Sequence, residues 1–159
     1  MVVTMKCNLI IAILTGVLAV VAVAGYMIQS VIQREIISVE LVSSGGLAGI
    51  VSEISISKVD DSVNVKKIER WNNATRCGTV NIEEFKKLEE LILTNINFWK
   101  AEYLTDARDV ASDKIIIYFK DGEEKSILVY DFPSEEVPRS LLDTINITRK
   151  LGEVNGSCD

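Results

Sequence analysis

Residues 9–28 form an apolar run with no charged position, broken only by Thr15, Gly16 and Gly25. About twenty mostly apolar residues make a helix long enough to cross a bilayer core, with every backbone group paired inside the helix. The run therefore predicts a single N-terminal transmembrane helix within residues 1–33, which makes the membrane itself a partner. A cleaved signal peptide also fits the pattern, through Lys6 ahead of the run and the small-x-small triplet Ala22-Val23-Ala24. The run is longer than a usual signal core, and apolar residues continue at Met27, Ile28, Val31 and Ile32, which favours a retained anchor.

After residue 34 the pattern changes to short alternating stretches. Residues 36–42 are β-branched and partly alternating and predict a strand. Ser43, Ser44 and three glycines interrupt it. A second strand follows, with Ile50, Ile54 and Ile56 on one side and Glu53, Ser55 and Ser57 on the other. Asp60, Asp61 and Ser62 mark a turn, and Val63, Val65 and Ile68 suggest a third strand running to Trp71. Residues 71–79 read as a loop. Asn81 is a good helix N-cap, with Glu84 placed to close a capping box. Ile82, Phe85, Leu88, Leu91, Ile92 and Ile96 recur at helical spacing, and Phe98 and Trp99 are expected to cap the core. A polar connection spans 103–112. A second hairpin turns at Asp121-Gly122, and a last helix opens near Pro133, capped by Ser134, with Pro138 in its first turn. Leu141, Leu142, Ile145 and Leu151 supply its inner face, Gly152 ends it, and residues 153–159 read as a flexible tail.

The order β-β-(β)-α-β-β-α predicts an α+β domain over residues 34–152. Its antiparallel sheet would have four or five strands in two hairpins, with two helices packed on one face. About 125 residues remain beyond the N-terminal segment, enough for one core.

The formal net charge of -6 argues against nucleic acid as a partner, because phosphate binding needs a basic stripe. The chain has no histidine, which excludes Ser-His and Cys-His nucleophile pairs and His-ligated zinc. The acid pairs Glu83-Glu84, Glu89-Glu90 and Glu135-Glu136 lie on polar helix faces and read as solvated surface. No enzyme activity, cofactor or metal site is expected. Of the three cysteines, Cys7 lies beside the apolar run, while Cys77 and Cys158 are free to pair if the domain lies outside the cytoplasm. Lys6 before the run, against Arg34 beside Glu35 after it, biases the N-terminus inside and the domain outside. Three glycosylation acceptor patterns, at Asn73, Asn146 and Asn155, are consistent with an exterior domain.

The distinctive local motif is Gly45-Gly46-Leu47-Ala48-Gly49. A phosphate loop would need a following Lys-Ser/Thr and a helix; a strand follows instead. Turn chemistry accounts for the glycines, and a partner-binding reading adds an exposed loop tipped by Leu47. With Ser44 the motif resembles the SGG(F/L)AG signature of emfourin-like proteins, the protealysin inhibitor family. The resemblance runs over residues 39–151. It includes a helix bearing Phe85, Leu88 and Leu91 that leads to Phe98, a late hairpin, then Val137-Pro138 and Leu141-Leu142. The chain departs from the family pattern in its preceding membrane segment and in a longer 60–81 region. The resemblance implies a small α+β protein that inhibits thermolysin-like metallopeptidases, with the peptidase as partner. The alternative from the residues alone is a non-enzymatic structural or assembly module of the cell envelope, bound to another envelope protein.

Overall fold

Strand β1 (Ile36–Ser44) begins two residues after position 34 and buries Ile36, Val39 and Leu41. The computed structural model describes residues 34–46, 49–105, 110–131, 133 and 135–158. The expected transmembrane helix lies outside these residues; among them, no helix is long and apolar enough to cross a membrane.

The domain is α+β. Among the described residues seven strands form one sheet, in the order β4-β3-β2-β1-β6-β7-β5. β1, β2 (Ile50–Val59), β3 (Ser62–Glu69) and β4 (Ala74–Val80) make an antiparallel meander. On its other flank β1 pairs antiparallel with β6 (Ser112–Phe119), which forms a hairpin with β7 (Glu124–Tyr130). The two-residue strand β5 (Glu102–Tyr103) runs parallel to β7. The register aligns apolar residues across strands: Val65, Ile56, Val39 and Ile117 in one row, and Ile54, Leu41, Ile115 and Ile127 in the next. Side chains alternate between faces, so these rows all lie on one side of the sheet.

Among the described residues two helices cover that side. α1 (Ile82–Asn95) starts where the Asn81 side chain accepts a hydrogen bond from the Glu83 amide at 2.8 Å, and it buries Phe85, Leu88 and Ile92. A 3-10 turn, Ile96–Phe98, extends it. α2 (Arg139–Leu151) buries Leu141, Ile145 and Leu151. Its interior hydroxyls at Thr144 and Thr148 bond the carbonyls four residues back, each at 2.8 Å, so neither is buried unpaired. Trp99 ties the helical layer together by donating its indole N–H to Ser140 Oγ at 3.1 Å.

The structure corrects several expectations. The sheet has seven strands rather than four or five, and β5 makes it mixed rather than wholly antiparallel. β4 occupies much of the stretch expected as a loop. It is polar because it is nearly an edge, and main-chain pairing with β3 holds it there. α2 starts at Arg139; Pro138, in an extended conformation with ψ 133, takes the cap position, and Ser134 lies outside the described residues. Phe98 does not cap the core. The 3-10 turn leaves it 80% exposed and buries Trp99 instead. Ile50 and Leu142 are likewise exposed rather than inward.

The residues after α2 are not a loose tail. Val154 packs against the core, Gly156 pairs with Cys77 along the outer edge of β4, and a disulfide joins Cys158 to Cys77. The Cys77 N–H donates to the Gly156 carbonyl at 2.9 Å. A Cβ on residue 156 would stand 2.5 Å from the Cys77 carbonyl oxygen, so this approach requires glycine.

Candidate functional site

The antiparallel pattern sorts the connections to two ends of the sheet. The chain arrives at Glu35 at one end, shared with the β2–β3 and β6–β7 turns. The β1–β2 loop and the β3–β4 turn lie at the other end, with the start of β6 and the end of β7. Nine residues of β1 separate the ends, about 30 Å at strand rise.

The β1–β2 loop carries the glycine motif. The pairing slips between Ser43 and Ser44, and Ser44 faces Ile50. The Gly45 N–H donates to the Gly49 carbonyl at 2.8 Å, and the Gly49 N–H donates to the Gly46 carbonyl at 3.0 Å. Gly46 and Gly49 hold φ of 59 and 73, in the left-handed region that glycine enters without steric cost. The loop is thus closed by its own backbone. Leu47 and Ala48 lie outside the described residues.

Beneath the loop an ionic hub ties three elements together. Asp113 on β6 accepts a hydrogen bond from Ser43 Oγ at 2.7 Å and pairs with Arg149 in the last turn of α2. A cation at a helix C-terminus also meets the negative end of the helix dipole. Asp113, Asp131 and Arg149 line a shallow groove of about 220 Å3 beside Ser43 and Ser44. The same three residues line a second groove, of about 360 Å3, that runs over Leu142, Ile145 and Asn146.

The β3–β4 turn flanks the loop. The Arg70 N–H donates to the Val51 carbonyl at 3.1 Å, which fastens the turn to β2 one residue beyond Ile50. Asn72 Oδ1 accepts from the Ala74 N–H at 2.9 Å, and Asn72 Nδ2 donates to Glu69 at 3.1 Å. Asn73 adopts φ 53, and Trp71 is 73% exposed.

The sequence-derived residues therefore fall into separate places. Gly45, Gly46 and Gly49 share one end of the sheet with Asn73. Asn146 sits exposed on α2, while the Thr148 hydroxyl of its acceptor pattern is enclosed. Asn155 lies with Cys77 and Cys158 at the β4 edge, and Arg76 donates to its Oδ1 at 3.5 Å. The Asp113 hub and the exposed Trp71 were not singled out from the sequence. The hub unites residues 70 and 36 positions apart, which no local pattern signals. Among the described residues no group of three or more His, Cys, Asp or Glu side chains is placed to hold a metal ion. Comparison with protein-family models, with curated proteins and with solved structures found no match for this chain.

Proposed function

We propose that the chain is a membrane-anchored, extracytoplasmic binding domain that inhibits thermolysin-like metallopeptidases through the loop of Gly45, Gly46, Leu47, Ala48 and Gly49. The observation that carries this reading is the loop's own closure: two internal hydrogen bonds and two left-handed glycines fix its ends. A loop whose ends are fixed before binding has less entropy to lose on docking, which favours affinity. In this mechanism Leu47 enters an apolar subsite of the enzyme, and backbone groups beside Gly46 and Ala48 bond the cleft. The peptidase brings its own zinc, so the inhibitor needs neither metal nor cofactor. The resemblance to emfourin-like proteins supports the choice of partner. The Cys77–Cys158 disulfide supports an oxidising, exterior compartment.

The test is inhibition of thermolysin by the full-length chain in mild detergent. Stoichiometric inhibition that Leu47→Asp abolishes, with the thermal melt unchanged, is the expected result. Equal inhibition by the variant would reject the loop as the inhibitory element, and no inhibition by the native chain would reject the peptidase reading. A second reading, an assembly module of the cell envelope, is favoured by one feature: the sheet face away from α1 and α2. There Ile116, Tyr118, Leu128 and Tyr130 are half-buried among polar neighbours and, among the described residues, have no helix over them.

A further inference from the structure

We propose that the strap after α2 is a redox-held latch over a self-pairing edge. When the Cys77–Cys158 bond is reduced and the strap lifts, β4 of one copy pairs antiparallel with β4 of a second copy, centred on Cys77. This is independent of the peptidase reading.

The latch is seated by close approaches. A Cβ on Gly152 would stand 2.7 Å from the Ile54 side chain, and one on Gly78 would stand 2.8 Å from Val154. Beyond Val154 the strap leaves the core: Asn155, Gly156, Ser157 and Cys158 are all exposed. What holds these four is the backbone bond from Cys77 to Gly156, a long bond from Arg76 to Asn155 at 3.5 Å, and the disulfide. With the disulfide cut, those two bonds do not offset the backbone entropy of four ordered residues. A dithiol reductant supplies the two electrons and two protons that turn the bond into two thiols, and is itself oxidised to a disulfide.

The edge beneath is built for pairing. β4 is the first strand in the sheet order, with β3 on its inner side. The Cys77 N–H points outward, since it donates to Gly156, and alternation turns the backbone groups of Thr75 and Thr79 the same way. An uncovered row of this kind is a template for another strand. Here the strap occupies its middle.

Register selects a second copy as the occupant. Centred on Cys77, the pairing sets Thr75 opposite Thr79 of the other copy and Arg76 opposite Gly78. All three outward residues are then used, and no like charges meet. Centred on Arg76, it would set two guanidinium groups face to face, which is destabilising. Centred on Gly78, it would place Thr75 opposite Asn81, beyond the end of β4. The favoured register is two-fold symmetric, as an isologous dimer requires. It also puts the two Cys77 Cα atoms about 5.5 Å apart, a separation that a disulfide can span.

The test uses the full-length chain in mild detergent with Cys7→Ser, which leaves Cys77 and Cys158 as its cysteines. Dithiothreitol is the reductant, and sedimentation is expected to show the protein mass doubling on reduction. Adding Cys158→Ser leaves Cys77 as the thiol. Brief oxidation by copper phenanthroline should then join two copies through Cys77, the thiols giving two electrons and two protons to the oxidant. Thr79→Pro removes an outward N–H that β3 does not use. It should slow this cross-linking about tenfold or more while the urea midpoint holds. A second pair of variants keeps the backbone intact. Thr75→Lys with Thr79→Lys sets lysine opposite lysine and should suppress the dimer, and Thr75→Glu with Thr79→Lys should restore it. Absence of a Cys77–Cys77 bond, or an equal rate in Thr79→Pro and in the lysine pair, would overturn the pairing. A mass that reduction leaves unchanged would overturn the latch.

Discussion

Glu35, where the chain enters the domain, is held between two lysines. Lys58 donates to one carboxylate oxygen at 2.7 Å and Lys120 to the other at 2.6 Å. These bonds, that of Lys120 the larger, outweigh the cost of desolvation and lower its pKa from 4.5 to about 2. A depressed carboxylate contributes stability that is present above its unfolded pKa and is lost as pH falls toward the folded value. The unfolding free energy is therefore expected to drop between about pH 5 and pH 2, and the drop should be smaller in Glu35→Gln. Urea titrations of both proteins at pH 7 and pH 3 measure this; an identical pH dependence would show that the pair contributes nothing. Tyr118 is shifted in the opposite sense. Burial first, and then Glu40, which accepts its hydroxyl at 3.2 Å, push its pKa up and keep the phenol protonated. Neither partnership was legible in the sequence. Glu35 stands 23 residues from Lys58 and 85 from Lys120, and only the sheet order brings the three together.

The elements that the sequence disclosed are those with strong local signals. The alternation from Ile54 to Ser57 and the Asp121-Gly122 turn predicted a strand and a hairpin that the structure contains, with Gly122 at φ 87. Asn81 marked the start of α1, as a residue whose short side chain bonds its own backbone two residues on. Asn81→Ala is expected to cost about 1 kcal/mol of stability, read from the urea midpoint, while Asn81→Ser should recover most of it. An unchanged midpoint in Asn81→Ala would mean that packing alone sets the helix start. The elements that stayed hidden have weak local signals. β4 reads Ala-Thr-Arg-Cys-Gly-Thr-Val and earns its place through a register with β3. β5 is two residues long, below the length at which alternation exists. The start of α2 was misplaced because Pro133, Ser134 and the following acids look like a helix start, whereas Pro138 restrains Val137 to extended conformations and delays the first turn. Of the candidate loop, the glycines were legible and their geometry was not; its neighbour Trp71 looked like the beginning of a featureless stretch.

The molecule as a whole is closed by contacts distant in sequence. β1 lies at the centre of the sheet, and its partner β6 comes some seventy residues later, so the core is complete only when both halves of the domain have met. The Cys77–Cys158 disulfide adds a covalent closure over 81 residues. On loop-entropy grounds a closure of that size stabilises by up to about 4 kcal/mol. Cys158→Ser is expected to lose about 2–4 kcal/mol and to release the terminal strap, seen as faster amide exchange at Cys77. Unchanged exchange at Cys77 would show that the pairing with Gly156 holds the strap without the bond. β1 has one more property. It receives the chain from residue 34 at one end and delivers it to the glycine-rich loop at the other. Tension applied between residue 34 and the glycine-rich loop would travel along those nine covalently linked residues, with the ladders to β2 and β6 loaded in shear on either flank. Bonds sheared in parallel share the load instead of opening one at a time, so a tug along this line meets the domain in its mechanically toughest direction.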